Sequence, residues 1–195
     1  MIDFHLASRS PRRADLLRLA GFRFDCVTAD VPEAPGPGET PDRYALRLAL
    51  DKARAGRART GSDLPVLGAD TDVVVDGTIL GKPRDREDAV RMLLRLSDRT
   101  HEVVSAVAVV GRSREATALS RTDVVFGPVA RADAEAYWDS GEPHDKAGAY
   151  AIQGGAARWI REIRGSHSGV IGLPLFETAA LLARFGVAPH PASAR

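Results

Sequence analysis

The run from Val66 to Val75 is so rich in apolar and β-branched residues that it predicts a strand at the centre of a sheet. Asp70 and Asp72 lie inside this run. A carboxylate in a buried strand costs free energy unless it is paired, hydrogen-bonded or bound to a metal. Because residues two apart share a face of a strand, both acids are expected on one face and Thr71 on the other. The run therefore predicts a functional Asp70, and the alternative is a structural ion pair at the end of a sheet.

The dipeptide Asp76-Gly77, directly after this run, is typical of a type I′ hairpin turn. It predicts a hairpin whose register places Lys82 opposite Thr71, at about 5 Å, with its backbone beside Asp70. A cation next to a buried acid is expected where a protein handles phosphate and metal. The segment around Lys82 is not a phosphate-binding P-loop, because the upstream glycine that this motif requires is absent.

The N-terminal stretch predicts a short strand, a tight loop and a helix. Ser10 suits the N-cap, Pro11 suits the first helical position, and Gly21 suits the end of the helix. Arg12 and Arg13 place two cations in the first turn, where the helix dipole disfavours each by about 0.3–1 kcal/mol. A bound phosphate would offset this cost, because the free N–H groups of the first turn favour an anion. Two solvated arginines are the alternative.

The next segments contain two more candidate residues and a cysteine. Cys26 lies on an alternating strand and is expected to be a small core residue. A Pro- and Gly-rich loop over residues 29–39 carries the acid Glu33. Thr40 begins a helix that extends to about residue 58, and this helix carries Lys52. The local sequence around Lys52 indicates only a surface position.

The second half of the chain alternates between helices and strands. His101 has no cysteine or second histidine nearby, so a structural role is expected for it. Lys146 and Gln153 lie on a short stretch that contains several glycines. Its local sequence favours an irregular loop over a binding segment. The sequence predicts helices over residues 85–96, 131–140 and 172–185, strands over 100–110, 113–125 and 158–163, and a polar loop over 165–168.

Bulk composition excludes several classes of protein. The net charge of +1 argues against a sequence-independent nucleic-acid binder, which needs a strong positive field. The single cysteine excludes an intramolecular disulfide and argues against a cysteine-based zinc site. No apolar run approaches the roughly 18 residues of a membrane span, and no signal peptide is recognisable. We therefore expect a cytoplasmic protein that binds neither nucleic acid nor membrane.

Three stretches carry a family resemblance. They read LASRSPRR at residues 6–13, GADT at 68–71 with Lys82-Pro83, and DKAGAYAIQG at 145–154 followed by GLPL at 172–175. Together and in this order, they resemble the Maf family of nucleoside triphosphate pyrophosphatases, over about residues 4–186. One departure is Gly169, where many relatives have asparagine.

The resemblance implies an α/β fold in which a long, curved mixed sheet with flanking helices forms two lobes around a central cleft. It implies hydrolysis of a nucleoside triphosphate between the α- and β-phosphates, with Mg²⁺ or Mn²⁺ as the cofactor. It also implies a homodimer. We expect one domain over residues 1–188 and a disordered tail over residues 189–195.

The resemblance also suggests roles for individual residues. Asp70 would be the general base on the attacking water, a metal ligand, or both. Glu33 would be the second acid on the metal, and Asp72 is a weaker candidate. The substrate would be held by Ser8, Ser10, Arg12, Arg13, Lys52, Thr71, Lys82, Lys146 and Gln153.

Gln153 is expected to determine which base is accepted. Its amide offers one donor and one acceptor, so it can pair with a carbonyl and the N3–H of uracil or thymine. Together with Thr71 and Arg12, the loop around it resembles the branch of the family that acts on dTTP and UTP. The alternatives are a pyrophosphatase for 7-methyl-GTP or another modified nucleotide, and a nucleotide-sensing regulator of septum formation with little turnover. A bare phosphate-binding module would explain the N-terminal loop but not the buried acid.

Overall fold

The computed structural model describes residues 1–190. The strands are β1 Phe4–Ala7, β2 Phe24–Val27, β3 Val66–Val75, β4 Thr78–Leu80, β5 Thr100–Val110, β6 Glu115–Phe126 and β7 Ile160–Arg164. The helices are α1 Pro11–Leu19, α2 Pro41–Thr60, α3 Arg86–Leu96, α4 Arg131–Asp139, α5 His167–Ile171 and α6 Leu175–Ala183. The strands form one mixed sheet in the order β2-β1-β3-β5-β6-β7, and β4 pairs with β3 beside this path. The predicted α/β class with flanking helices is confirmed.

Strand β3 lies at the centre of the sheet, with the bounds that its sequence predicts. On one edge it pairs antiparallel with β5 from Val66 to Val74. On the other edge, β1 pairs with it in parallel only as far as Gly68, and β4 begins only at Val73. Residues 69–72 therefore face a gap between β1 and β4. This gap is where a cleft can enter the sheet.

Helix α2 covers one face of β3 at very short range. A Cβ atom on Gly68 would lie 2.2 Å from the carbonyl oxygen of Ala49 and 2.6 Å from the nitrogen of Ala53, so only glycine fits there. Ala49 and Ala53 are fully buried. This close approach brings the side chains of α2 within reach of the aspartates of β3.

The opposite face of the sheet carries two separate hydrophobic clusters. Helices α1 and α6 cover the first cluster, which includes Ala69 of β3, and α3 and α4 cover the second, which includes Val73. Thr71 and Ser105 lie between the two clusters, and their hydroxyl oxygens are 3.0 Å apart. The two clusters correspond to the two predicted lobes, because they flank the gap in the pairing of β3.

Two local predictions are wrong, and a third, the N-cap, holds for its position only. Cys26 is exposed rather than in the core, because β2 is an edge strand that pairs only with β1. Ser10 precedes α1 as expected, but its side chain makes no capping hydrogen bond. The segment predicted as a polar loop contains the start of α5, since the Ser166 hydroxyl caps this short helix by accepting a hydrogen bond from the Gly169 N–H at 3.0 Å.

The two ends of the described chain pack against each other. The His190 N–H donates to the carbonyl oxygen of Gly21 at 2.9 Å, and His190 Nε2 lies 2.7 Å from Asp3 Oδ2. From residue 191 onwards, the tail that we expect to be disordered lies outside the described residues. Across residues 1–190, no helix combines the length and the apolarity that a membrane crossing requires.

His101 is buried, as its predicted structural role requires, and burial lowers its pKa to about 4. In the unfolded chain the pKa of the imidazole is about 6.5, so the unfolded state binds a proton at a higher pH than the folded state does. The folded state is therefore favoured fully above about pH 6.5, and this stabilisation is lost as the pH falls towards 4. From this group alone, we expect the free energy of unfolding to fall by about 2 kcal/mol between pH 7 and pH 5, as measured by urea denaturation. His101→Gln should remove this part of the pH dependence, and an unchanged dependence in the variant would contradict the prediction.

Candidate active site

A cleft of about 530 Å³ opens at the gap between β1 and β4. This volume is ordinary for a small-molecule site. Its walls are the loop after β1, the middle of β3, the inner side of α2 and the segment between α4 and β7. All eleven residues assigned to the site from the sequence line this cleft, namely Ser8, Ser10, Arg12, Arg13, Glu33, Lys52, Asp70, Thr71, Lys82, Lys146 and Gln153.

The loop between β1 and α1 forms one wall of the cleft. The Ser8 hydroxyl accepts a hydrogen bond from the Ser10 N–H at 3.1 Å and lies 3.4 Å from Arg13 Nη1. This contact turns the chain back at the carboxyl end of β1, so that α1 begins at the cleft. The N–H groups of a first helical turn have no partner within the helix, and they are therefore available to an anion.

Arg12 and Arg13 are adjacent in sequence but have different partners. Arg13 Nε donates to the carbonyl oxygen of Gly172 at 2.8 Å, which ties α1 to the residue after α5. Burial lowers the pKa of Arg13, and the nearby Asp70 carboxylate opposes this shift. Arg12 instead lies 3.5 Å from Asp145 on the far wall. The alternative of two solvated arginines is therefore wrong for Arg13.

The acids of β3 meet a lysine of α2. Asp70 and Asp72 are both buried, and Lys52 Nζ lies 2.7 Å from Asp70 Oδ1 and 2.7 Å from Glu33 Oε1. Only 8% of Lys52 is exposed, so the surface position indicated by its local sequence is wrong. The close packing of α2 on Gly68 explains the difference, because it brings the lysine over the acids.

Two carboxyl groups of the cleft, Asp72 and Glu33, have pKa values that are shifted in opposite directions. Burial, together with the charge of Asp70 and the hydrogen bond to it, raises the pKa of Asp72 well above its ordinary value. Asp72 Oδ2 has no hydrogen-bond partner among residues 1–190. Partial burial acts in the same upward direction on Glu33, but the hydrogen bond and the charge of Lys52 outweigh it and hold the pKa of Glu33 below its usual value. Asp72 therefore binds a proton more readily than Glu33 does.

Lys82 departs from the predicted register. The ladder between β3 and β4 ends at Leu80, and the carbonyl of the next residue accepts a hydrogen bond from the Gly148 N–H at 3.1 Å. Lys82 is therefore not paired opposite Thr71. Its Nζ lies 3.9 Å from Glu33 Oε2, and its side chain is 62% exposed. The cation that contacts the buried acid lies on α2 instead.

The segment over residues 145–155 forms the far wall. Lys146 Nζ donates to the carbonyl oxygen of Glu142 at 3.2 Å and also pairs with the side chain of Asp145. Gln153 lies in a turn, with its side chain exposed along the cleft. The segment consists of turns and a short 3-10 helix at Ala147–Ala149, so the irregular loop expected from the local sequence is confirmed, and it lies along the cleft.

Ser105 was not singled out in the sequence, but it links β5 to α5 and contacts Thr71, a residue that lines the cleft. Its hydroxyl donates to the carbonyl oxygen of Gly169 at 2.7 Å and lies next to the hydroxyl of Thr71. Thr71 Oγ1 also lies 3.2 Å from the carbonyl oxygen of Gly172. These contacts hold α5 against the sheet through its backbone. A serine inside a valine-rich strand gives no local signal of this role, because its partners are more than 30 residues away along the chain.

Comparison with known families identifies the group of proteins to which the chain belongs. A family model described as "Maf-like protein" matches residues 3–185. The chain belongs to the Maf family. The resemblance carried by the three sequence stretches is thus confirmed across nearly the whole chain.

Curated members of the Maf family are similar to this chain over most of their length. A protein of Saccharophagus degradans named dTTP/UTP pyrophosphatase is 50% identical over 188 residues, which are 95% of this chain and 90% of that protein. A protein of Escherichia coli O157:H7 with the same name is 48% identical over 185 residues, 95% of this chain and 94% of that protein. A solved structure of a nucleoside-triphosphatase, or dITP/XTP pyrophosphatase, from Mycobacterium abscessus is 22% identical, with a TM-score of 0.45 and coverage of 93% of this chain and 94% of that chain.

Proposed function

We propose that this chain is a divalent-cation-dependent nucleoside triphosphate diphosphatase that hydrolyses dTTP and UTP to the monophosphate and pyrophosphate. The observation that carries the proposal is the meeting of the buried acids Asp70 and Asp72 with Lys52 and Arg13 in one cleft. The relatives named dTTP/UTP pyrophosphatase, which are about 50% identical to this chain, support the choice of substrate.

The triphosphate would lie along the wall formed by the loop before α1. Negative oxygens around the α-phosphorus repel an attacking water, so their charge must be neutralised before attack. The N–H groups of α1 and the hydroxyls of Ser8 and Ser10 would donate hydrogen bonds to phosphate oxygens. The positive side chains proposed to neutralise the phosphates are Arg12, Arg13, Lys52, Lys82 and Lys146.

Asp70 is proposed as the base that accepts the proton of the attacking water. Asp72 lies beside it, and burial together with the charge of Asp70 raises the pKa of Asp72. Lys52 donates to Asp70 Oδ1 and holds the carboxylate in place in the middle of β3, at the gap between β1 and β4. A base fixed in this way can also orient the water towards the phosphorus.

The oxygen donors of the cleft fit a hard divalent cation. Asp70 Oδ1 and Glu33 Oε1 already converge on one positive charge, the ammonium group of Lys52, at 2.7 Å each. Carboxylate oxygens are ligands that Mg²⁺ and Mn²⁺ prefer, and one or two of them with added waters suffice for Mg²⁺. Asp70 and Glu33 would hold the cation, which would supply further neutralisation of the phosphates. Within residues 1–190, no group of three His, Cys, Asp or Glu side chains is arranged as a complete metal site.

Gln153 is proposed to read the base from the far wall. Its amide can donate to a carbonyl of uracil or thymine and accept from N3–H, and its side chain is exposed along the cleft. Arg12 and Thr71 also line the cleft and are proposed to contribute to base choice.

A panel of nucleotides tests the proposal. We expect the purified chain with Mg²⁺ or Mn²⁺ to prefer dTTP and UTP over CTP, GTP and 7-methyl-GTP, and to release pyrophosphate and the monophosphate. Added EDTA should abolish turnover. A preference for 7-methyl-GTP would contradict the substrate assignment. Tight nucleotide binding with turnover below about 10⁻³ s⁻¹, far under ordinary enzymes, would favour a sensing protein instead.

We also propose that residues 1–188 act as one domain, because the hydrophobic clusters all pack on one sheet. The homodimer implied by the family resemblance remains a prediction. Light scattering of the purified chain tests it, and a mass close to 20.9 kDa would contradict it.

A further inference from the structure

We propose that Tyr137 and Glu142 are positioning residues that set the place of Gln153 against the nucleotide base. The proposal rests on the function proposed above, in which Gln153 reads the base. Neither Tyr137 nor Glu142 lines the cleft, so both would act through the backbone of the turn that carries Gln153.

Hydrogen bonds fix both ends of this turn. The turn is closed by the Gly154 N–H, which donates to the carbonyl oxygen of Ala151 at 3.2 Å. At its start, the Ala151 N–H donates to the Tyr137 hydroxyl oxygen at 3.1 Å. At its end, the Gly155 N–H donates to the two carboxylate oxygens of Glu142 at 3.1 and 3.0 Å. Gln153 lies between these two anchored positions.

The two anchors are themselves joined. The Tyr137 hydroxyl donates to Glu142 Oε1, so one hydrogen-bonded chain runs from Ala151 through the phenol and the carboxylate to Gly155. Burial and the nearby Glu142 raise the pKa of Tyr137, which keeps the hydroxyl protonated as the donor of this chain. Tyr137 is 5% exposed, which leaves its ring little freedom to move.

The turn also fits closely around the carboxylate. A Cβ atom on Gly154 would lie 1.8 Å from Glu142 Oε1, so the carboxylate occupies the space of a side chain at this position. Gly141 ends α4 with a φ of +78°, and this reversal returns Glu142 alongside Tyr137. Tyr137, Gly141 and Glu142 thus together support the turn that carries Gln153, from the end of α4.

Gln153 depends on this support because its own side chain has no other anchor. Within residues 1–190, its amide makes no hydrogen bond to another protein group, which leaves the amide available to a base. The backbone of the turn therefore sets the point from which its amide reaches the base. A site built from hydrogen bonds to a substrate loses discrimination when its groups shift out of place.

A double-mutant cycle with UTP and GTP tests the proposal. Tyr137→Phe keeps the buried ring and removes the hydroxyl, and we expect kcat/KM for UTP to fall about tenfold, mostly through KM, together with the preference for UTP over GTP. In a Gln153→Ala background, the same substitution should have almost no further effect, because the group that it positions is gone. A merely structural role would lower kcat for both nucleotides and would persist in that background, which would overturn the proposal.

A second variant and a control complete the experiment. Glu142→Gln keeps the size of the side chain but replaces one of the two oxygens that accept from the Gly155 N–H with an NH2 group, so a donor would face a donor. This variant should lose the same preference for UTP. Glu135→Gln changes a carboxylate of α4 that pairs with Arg131 outside the turn, and it should leave the preference unchanged. If the wild-type chain hydrolyses no triphosphate, the proposed function fails. If Gln153→Ala loses the preference while both positioning variants keep it, only this inference fails.

Discussion

Replacing Asp70 by asparagine should lower kcat for UTP about 1,000-fold and leave the fold intact, because general base catalysis contributes about 10²- to 10⁴-fold. Asparagine keeps the shape of the side chain and an oxygen that can accept the hydrogen bond from Lys52, so the contact at 2.7 Å can be retained. It removes the negative charge and with it the capacity to take a proton from water. Steady-state kinetics at saturating Mg²⁺, with thermal unfolding as the check of the fold, measures the effect.

Asp72→Asn is the matched control, because Asp72 lies two residues further along the same strand and is equally buried. An amide mimics the protonated acid, which is the form of Asp72 that burial and the charge of Asp70 favour. We therefore expect its loss of kcat to be less than about tenfold. Equal losses in the two variants would show that the base is not Asp70 alone. An Asp70→Asn protein that retains most of its hydrolysis would remove Asp70 from the mechanism.

The elements of the site could be predicted from the sequence because their signals are local. The bounds of β3, the start of α1 at Pro11 and the placement of Asp70 and Asp72 on one face all follow from patterns within a few residues. The three motif stretches also predict which residues line one cleft. The gap in the sheet was not predicted, because it depends on where β1 and β4 each stop pairing with β3.

Contacts between distant segments account for the wrong predictions. The sequence of its own helix predicts a surface position for Lys52. Only the packing of α2 on Gly68 brings this lysine into contact with the acids. Lys82 would have continued its hairpin, but the chain leaves β3 to bond with Gly148. Glu142 gives no local signal at all, since its role depends on a turn that returns 13 residues later. The role of a side chain could be predicted where the spacing of nearby residues determines it. The contacts between residues that are distant in sequence could not be predicted.

Replacing Lys52 by methionine should make the stability of the chain depend strongly on a divalent cation. The substitution leaves the buried carboxylate of Asp70 without its partner and beside Asp72, and breaking a buried ion pair costs about 3–5 kcal/mol. A divalent cation held by Asp70 and Glu33 would restore the missing positive charge. In EDTA we therefore expect Tm well below that of the wild type, and a rise on adding Mg²⁺ that exceeds the rise seen for the wild type. Hydrolysis of UTP should remain low, because a charge that faces the phosphates is gone.

Arg47→Met separates this effect from the general loss of an ion pair on the same helix. Arg47 Nε donates to Glu39 Oε1 at 2.7 Å, and neither residue lines the cleft. Its loss should lower Tm by a similar amount in EDTA and in Mg²⁺, because no cation site lies between those two residues. If Mg²⁺ raises the Tm of Lys52→Met no more than that of the wild type, Asp70 and Glu33 do not hold the cation. The contacts of Lys52 would then be a structural ion pair, and the cation would have to be bound through the substrate phosphates instead.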